Sequence, residues 1–241
     1  MVERDQIYAQ ETCAVEPFEF SESVVRVFPD MIERSVPGYR QLLELTPLIV
    51  RDSAVRNSTV YDLGCSVGAA TLAARRAIQQ PGVKIIAIDN SPQMTARCRH
   101  LVANDNSSVP VDVITADICQ APISRASVVI MYFTLQFIAP DDRAALIRKV
   151  ADGLMPGGVL LLAEKLRFAP EHQAWMDRHH HDFKRTQGYS DLEIARKRQA
   201  LENVLIADDR ATHHQRLREA GFSTVIDWLQ CLNFACFAAI K

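Results

Sequence analysis

The sequence predicts a doubly wound α/β fold: a mostly parallel seven-stranded sheet with an antiparallel edge strand. Three observations lead there: five short apolar runs of strand type, helical patterns alternating with them, and two closely spaced apolar runs at the C-terminus. The strand-type runs are Thr59–Leu63, Lys84–Ile88, Val111–Ile114, Val128–Tyr132 and Val159–Ala163. Helical patterns occupy Ala69–Ile78, Met94–Val102 and Ala144–Leu154, where Leu146, Val150 and Leu154 recur every fourth residue. Apolar strands need cover on both faces, which is the condition of a parallel sheet flanked by helices. Right-handed crossovers then wind the strands in two directions. The last two runs, Thr224–Leu229 and Asn233–Ile240, lie too close for a parallel crossover of about a dozen residues. One of them therefore runs antiparallel to its neighbour at the sheet edge.

Around this core the chain adds two further parts. Val24, Val27, Phe28 and Met31, and then Leu42, Leu43, Leu45 and Ile49, are spaced as two helices separated by the turn pair Pro37-Gly38. A charged, mostly helical insertion covers roughly residues 166–207, and a helix at Thr212–Ala220 ends at Gly221. The reading is one domain over 1–241, with a helical lid at 20–50 and the insertion at 166–207. A hydrophobic fraction of 48% suffices for one buried core.

Composition excludes several classes. A net charge of −2 lacks the basic excess that drives binding to nucleic acid or anionic membrane. No apolar run approaches the roughly 18 residues of a membrane span, and the early charges Glu3, Arg4 and Asp5 argue against a secretory signal. Cys13, Cys65, Cys98, Cys119, Cys231 and Cys236 are scattered, without the paired spacing of a structural zinc site. They read as reduced thiols of a cytoplasmic protein that holds no metal.

The densest chemical signal is Asp62-Leu63-Gly64-Cys65-Ser66-Val67-Gly68, closing the first core strand and opening a helix. Glycines permit a tight turn and let ligand atoms approach bare backbone. The helix start behind them offers unpaired N–H groups. A dinucleotide enzyme needs Gly-x-Gly-x-x-Gly there to seat a pyrophosphate. Gly64-x-x-x-Gly68 with an upstream carboxylate suits instead the cationic sulfonium and ammonium end of S-adenosyl-L-methionine (SAM). Asp89, at the tip of the second strand, is placed to accept from both ribose hydroxyls. Taken alone it reads equally as a cap for the helix begun by Asn90-Ser91-Pro92. After the third strand, Asp117 is placed to accept from the adenine amino group and the Ile118 N–H to donate to a ring nitrogen. Leu154-Met155-Pro156-Gly157-Gly158 reads as a helix stop and turn before the fifth strand. In this order the elements specify a SAM-binding enzyme.

Longer stretches carry a resemblance. Val27-Phe28-Pro29-Asp30-Met31-Ile32-Glu33-Arg34-Ser35-Val36-Pro37-Gly38-Tyr39, Ala87-Ile88-Asp89-Asn90-Ser91-Pro92, His181-Asp182-Phe183-Lys184-Arg185 and Leu201-Glu202-Asn203-Val204 join the glycine loop in it. Together they closely resemble the carboxy-S-adenosyl-L-methionine synthase family, over nearly the whole chain from Phe20 onward. The resemblance implies a Class I methyltransferase-like Rossmann fold and conversion of SAM and prephenate to carboxy-SAM and phenylpyruvate. The product serves a partner enzyme that carboxymethylates wobble uridine in tRNA, so direct nucleic-acid contact is not expected. Also implied are a homodimer, cofactor contacts at Tyr39, Gly64, Cys65, Ser66, Asp89, Asn90, Asp117 and Ile118, and a carboxylate-binding, catalytic Arg198. Arginine suits that post because its planar fork binds a carboxylate through two parallel bonds. Without the resemblance, Arg196, Lys197 and Arg198 read as a solvated helix face. The family shows asparagine at the head of Asn-Phe-Thr-Leu-Gln-Phe, where this chain has Tyr132-Phe133-Thr134-Leu135-Gln136-Phe137. Tyr132 thus changes the size and hydrogen bonding of a position facing the cofactor.

In the implied chemistry, prephenate releases its ring carboxylate as CO2 on aromatising, a proton leaves the sulfonium methyl, and that carbon captures the CO2. Such a methyl is too weak an acid for an ordinary side chain. The base therefore arises on the departing prephenate, while the protein positions groups, excludes water and holds anions. His179-His180-His181 does not read as a metal site, since consecutive helical residues point about 100° apart. His181, Lys184 and Arg185 are candidates for the anionic substrate instead. Two other readings share the same residues: a conventional SAM-dependent methyltransferase of small molecules and a non-catalytic SAM-binding protein.

Overall fold

Each of the five apolar runs forms a strand in the computed structural model, which describes residues 3–9 and 15–241. They are β1 (Thr59–Leu63), β2 (Lys84–Asp89), β3 (Val111–Thr115), β4 (Ala126–Tyr132) and β5 (Leu154–Lys165), followed by β6 (Thr224–Cys231) and β7 (Phe234–Ile240). The sheet order is β3-β2-β1-β4-β5-β7-β6. The first five strands pair in parallel. The chain winds outward from β1 to β3 and then returns to β4, so neighbouring strands β1 and β4 send their connections in opposite directions. A crevice opens at the carboxyl ends of strands at such a switch point.

The antiparallel excursion stands at the sheet edge, as the short spacing requires. Edge strand β6 runs antiparallel to β7, which slots between it and β5. Leu232 and Asn233 alone join the two, and Leu232 adopts a φ of 50° to close the turn.

The helices are α1 (Glu22–Ser35), α2 (Tyr39–Ser53), α3 (Ala69–Ala77), α4 (Pro92–Ala103), α5 (Pro140–Gly153), α6 (Pro170–Thr186), α7 (Asp191–Leu201) and α8 (Arg210–Glu219). On one sheet face Leu146, Ile147 and Val150 of α5 pack with Leu160 and Phe237. On the other, Val50 of α2 and Ala70 and Ala74 of α3 pack with Val60, Ile85, Val128 and Leu161. Cover on both faces explains why β4 is buried along almost its whole length.

One local expectation differs. Met155-Pro156-Gly157-Gly158 is not a turn ahead of the strand but a bulge inside β5, where pairing jumps from Ala126↔Leu154 to Val128↔Val159. The C-terminus holds it there: Gly157 N–H donates to the Lys241 carbonyl at 3.1 Å, and Lys241 N–H returns a bond to Gly158 at 3.0 Å. Among the described residues no helix is long and apolar enough to cross a membrane. Cys65, Cys98, Cys119, Cys231 and Cys236 are free thiols. Cys13 lies outside the described residues.

Candidate active site

A cavity of about 410 Å³ opens at the carboxyl ends of β1, β2 and β4, covered by residues of α1, α6 and α7. Its floor is the glycine loop. Gly64 and Cys65 N–H groups both donate to the Ile88 carbonyl, at 2.8 and 2.9 Å, so the loop is moored on β2. Gly64 and Gly68 have φ of 80° and 90°, and Ser66 joins them in the left-handed region at 50°. That geometry turns the Ser66 N–H onto Asp89 Oδ2 at 2.9 Å.

The other Asp89 oxygen accepts from Ser91 N–H at 2.9 Å. Ser91 itself caps α4 by accepting from Met94 N–H, which decides between the two readings of Asp89: it is not the cap. Its carboxylate is aimed by two backbone donors while lining the cavity, with lone pairs left for ribose hydroxyls. Burial raises its pKa against the pull of those donors. Replacing Asp89 by alanine weakens SAM binding by about 1.5–3 kcal/mol, the worth of hydrogen bonds to a charged acceptor. Titration calorimetry reads this directly, and an unchanged affinity removes Asp89 from the site.

Asp62 is buried at the end of β1 and accepts from the Thr71 hydroxyl at 2.5 Å. Burial pushes its pKa up to about 6. Tyr39, at the start of α2, lines the same space, and burial together with the Asp62 charge raises its hydroxyl pKa. Asp117 Oδ1 accepts from Cys119 N–H at 2.8 Å. The adjacent Ile118 N–H meets no acceptor among the described residues, leaving it free for a ligand. Tyr132 lines the cavity with its hydroxyl 2.8 Å from Thr46 Oγ1. Since Thr46 spends its proton on the Leu42 carbonyl at 2.7 Å, the tyrosine is the donor, tying β4 to α2.

Nine of the ten expected site residues thus line one cavity: Tyr39, Gly64, Cys65, Ser66, Asp89, Asn90, Asp117, Ile118 and Tyr132. Arg198 does not. It is exposed on α7 and absent from the lining, although its charge reaches Lys165 and His181. Its neighbour Lys197 is buried and lines the cavity, so the helix-face reading holds for one of the two and not the other.

The remaining lining brings the sequence candidate Lys184 together with residues that the sequence did not assign to the site. Lys165 from the end of β5, His180 and Lys184 from α6, and Lys197 from α7 form a basic pole of the cavity. His180 Nε2 lies 2.8 Å from the Ser35 carbonyl, so it is the protonated ring nitrogen. Burial and nearby lysine charge push the pKa of that imidazole down to about 2, keeping it neutral. His179 stacks outside on Trp175 at 3.9 Å between ring centroids. Of the three candidates for the anionic substrate, Lys184 lines the cavity. Arg185 is exposed and paired with Asp182 and Asp191 at 2.6 and 2.7 Å, and His181 is not among the lining residues.

A methyltransferase-domain family model matches residues 60–158. A carboxy-S-adenosyl-L-methionine synthase of Geobacter metallireducens is 52% identical over 239 residues, covering 98% of each chain. One of Pasteurella multocida is 48% identical and covers 99% of each. The chain belongs to the carboxy-S-adenosyl-L-methionine synthase family. Solved structures agree on the fold. An O-methyltransferase family protein from Burkholderia thailandensis superposes with a TM-score of 0.65 at 15% identity, covering 95% of this chain and 65% of that one. Human N-acetylserotonin methyltransferase, solved in complex with SAM, has a TM-score of 0.58 at 16% identity, covering 92% and 56%. Membership of the synthase family makes this chain an enzyme on a methyltransferase-like fold rather than a scaffold.

Proposed function

We propose that this protein converts SAM and prephenate to carboxy-SAM and phenylpyruvate. Its product would be the carboxymethyl donor that a partner enzyme uses on wobble uridine of tRNA. The observation that carries the reading is the polarity of the cavity: Asp62, Asp89 and Asp117 at one pole, lysines at the other, under one cover. A cationic nucleoside and an anionic co-substrate are both matched. Methyl transfer to a neutral acceptor leaves the ammonium groups of Lys184 and Lys165 without a partner.

In this reading Asp89 holds the ribose, Asp117 and Ile118 hold the adenine, and Asp62 faces the cationic end. In the proposed chemistry prephenate loses CO2 and its ring hydroxyl on aromatising, the departing hydroxide takes the methyl proton as water, and the methyl carbon captures the CO2. The chain's residues orient and desolvate the two substrates. His180 is not the base: its protonated nitrogen is committed to Ser35 and its imidazole is held neutral by burial. Arg198 serves a carboxylate from the cavity mouth or from a second copy in a homodimer. The cytoplasm is the fitting compartment for a chain with free thiols and nucleotide chemistry.

Tyr132 favours one alternative, conventional methyl transfer, because it reshapes a family asparagine position. Incubation of the purified protein with SAM and prephenate separates the two. A SAM derivative heavier by one CO2, formed with an equal amount of phenylpyruvate, is the expected result. S-adenosylhomocysteine with a methylated acceptor supports the alternative.

A further inference from the structure

We propose that Lys184 and Lys165 form the anion subsite of this cavity, holding a carboxylate of a dicarboxylate co-substrate, with Lys197 as a positioning residue behind them. The identity of that co-substrate rests on the function proposed above; the subsite rests on geometry.

Lys184 is 8% exposed and Lys165 is half-buried, and both line the cavity. Neither ammonium group makes a hydrogen bond or ion pair with any described residue. A buried, unpaired cation is costly and persists where something outside the chain completes its coordination. Asp177 is the one carboxylate whose charge acts on both lysines, against the like charges of Lys197 and Lys165 on Lys184 and of Arg198 on Lys165. The balance is positive, and burial with those like charges pushes the pKa of Lys184 down to about 7. An anion seated between them relieves both penalties.

Lys197 differs. Its Nζ donates to Ser35 Oγ at 2.9 Å and lies 3.8 Å from the Asp5 carboxylate, which in turn accepts from the Tyr189 hydroxyl at 2.5 Å. Ser35 also receives His180 on its carbonyl. Lys197 is therefore spent on holding α1, α6 and residue 5 together, and supplies field rather than a free bond. The two free ammonium groups come from β5 and α6, rigid elements that fix their separation.

The test uses the intact protein saturated with SAM. Limited acylation of lysines followed by peptide mass spectrometry should find Lys184 and Lys165 modified without prephenate and about tenfold protected with it, while Lys197 changes little. In parallel, Lys184→Met and Lys165→Met should each raise the prephenate KM on the order of tenfold to a hundredfold and leave SAM affinity unchanged. Turnover of prephenate by the wild type with equal labelling in both states, or with unaltered KM in both variants, overturns the subsite. If the wild type does not turn over prephenate, the substrate assignment fails instead. Protection is then measured with succinate and phthalate: protection by either retains the subsite, and none by both overturns it.

Discussion

Replacing Glu164 with alanine is expected to lower the stability of the folded protein by about 3–6 kcal/mol, or roughly 6–24 °C in Tm. Glu164 ends β5 with 1% of its surface exposed. One carboxylate oxygen accepts from the N–H groups of Thr134 and Leu135 at 3.1 and 2.8 Å, the other from Gln136 at 3.0 Å. These are the free donors of the short 3-10 turn Leu135–Phe137, which has no side-chain cap of its own. The preceding Phe133 sits at φ 55°, a conformation that costs a non-glycine residue about 1–2 kcal/mol. Without the carboxylate, three buried donors lose their acceptor at about 1–2 kcal/mol each. Urea unfolding measures the loss, and a value below about 1 kcal/mol would show that the turn finds other acceptors.

The same residue has a pH signature. Burial raises its pKa from 4.5 to about 8 despite the three donors and Arg143. A raised folded-state pKa means that the folded protein binds the proton more tightly than the unfolded chain does. This contribution to stability is complete below pH 4.5 and lost as pH rises through about 8. Glu164→Gln cannot titrate, so the stability difference between wild type and this variant should shift against the wild type from pH 5 to pH 9. A pH-independent difference contradicts the assignment.

Gly64→Ala is expected to reduce SAM affinity by more than about a hundredfold and to destabilise the fold by roughly 2–4 kcal/mol. At φ 80° an alanine is already strained. Its Cβ would also meet Thr134, overlapping Oγ1 and lying 2.5 Å from Cγ2 and 2.9 Å from Cβ. Thr134 cannot step aside: its hydroxyl donates to the Tyr132 carbonyl at 3.1 Å and its N–H is held by Glu164. The loop must therefore move, taking with it the Ser66 N–H that aims Asp89. Calorimetric titration with SAM and a thermal melt read the two effects. Wild-type affinity in this variant would mean that the loop does not contact the ligand.

Parts of this arrangement were legible from residues alone because they are local. Thr59–Leu63 and Gly64–Gly68 announce a strand, a tight turn and a helix start within ten consecutive residues, and the structure builds them as read. Asp89 was ambiguous because capping and ligand binding ask for the same residue type; only the Ser91–Met94 bond separates them. Lys165, Lys197 and Glu164 carried no local signal. Glu164 meets donors about thirty residues earlier in the chain, and Lys197 meets Ser35 and Asp5 from another helix and the N-terminal segment. The Met155–Gly158 bulge carries no local signal for the same reason, since it is held by Lys241 from the far end of the sequence.

Placing an adenosyl sulfonium at the acidic pole of one covered cavity is the claim on which the rest depends. Mass spectrometry of the nucleoside released on denaturing the freshly purified protein tests it most directly. Recovery of SAM or of its derivative carrying one additional CO2 is the predicted result. Recovery of a nicotinamide nucleotide in stoichiometric amount would contradict it.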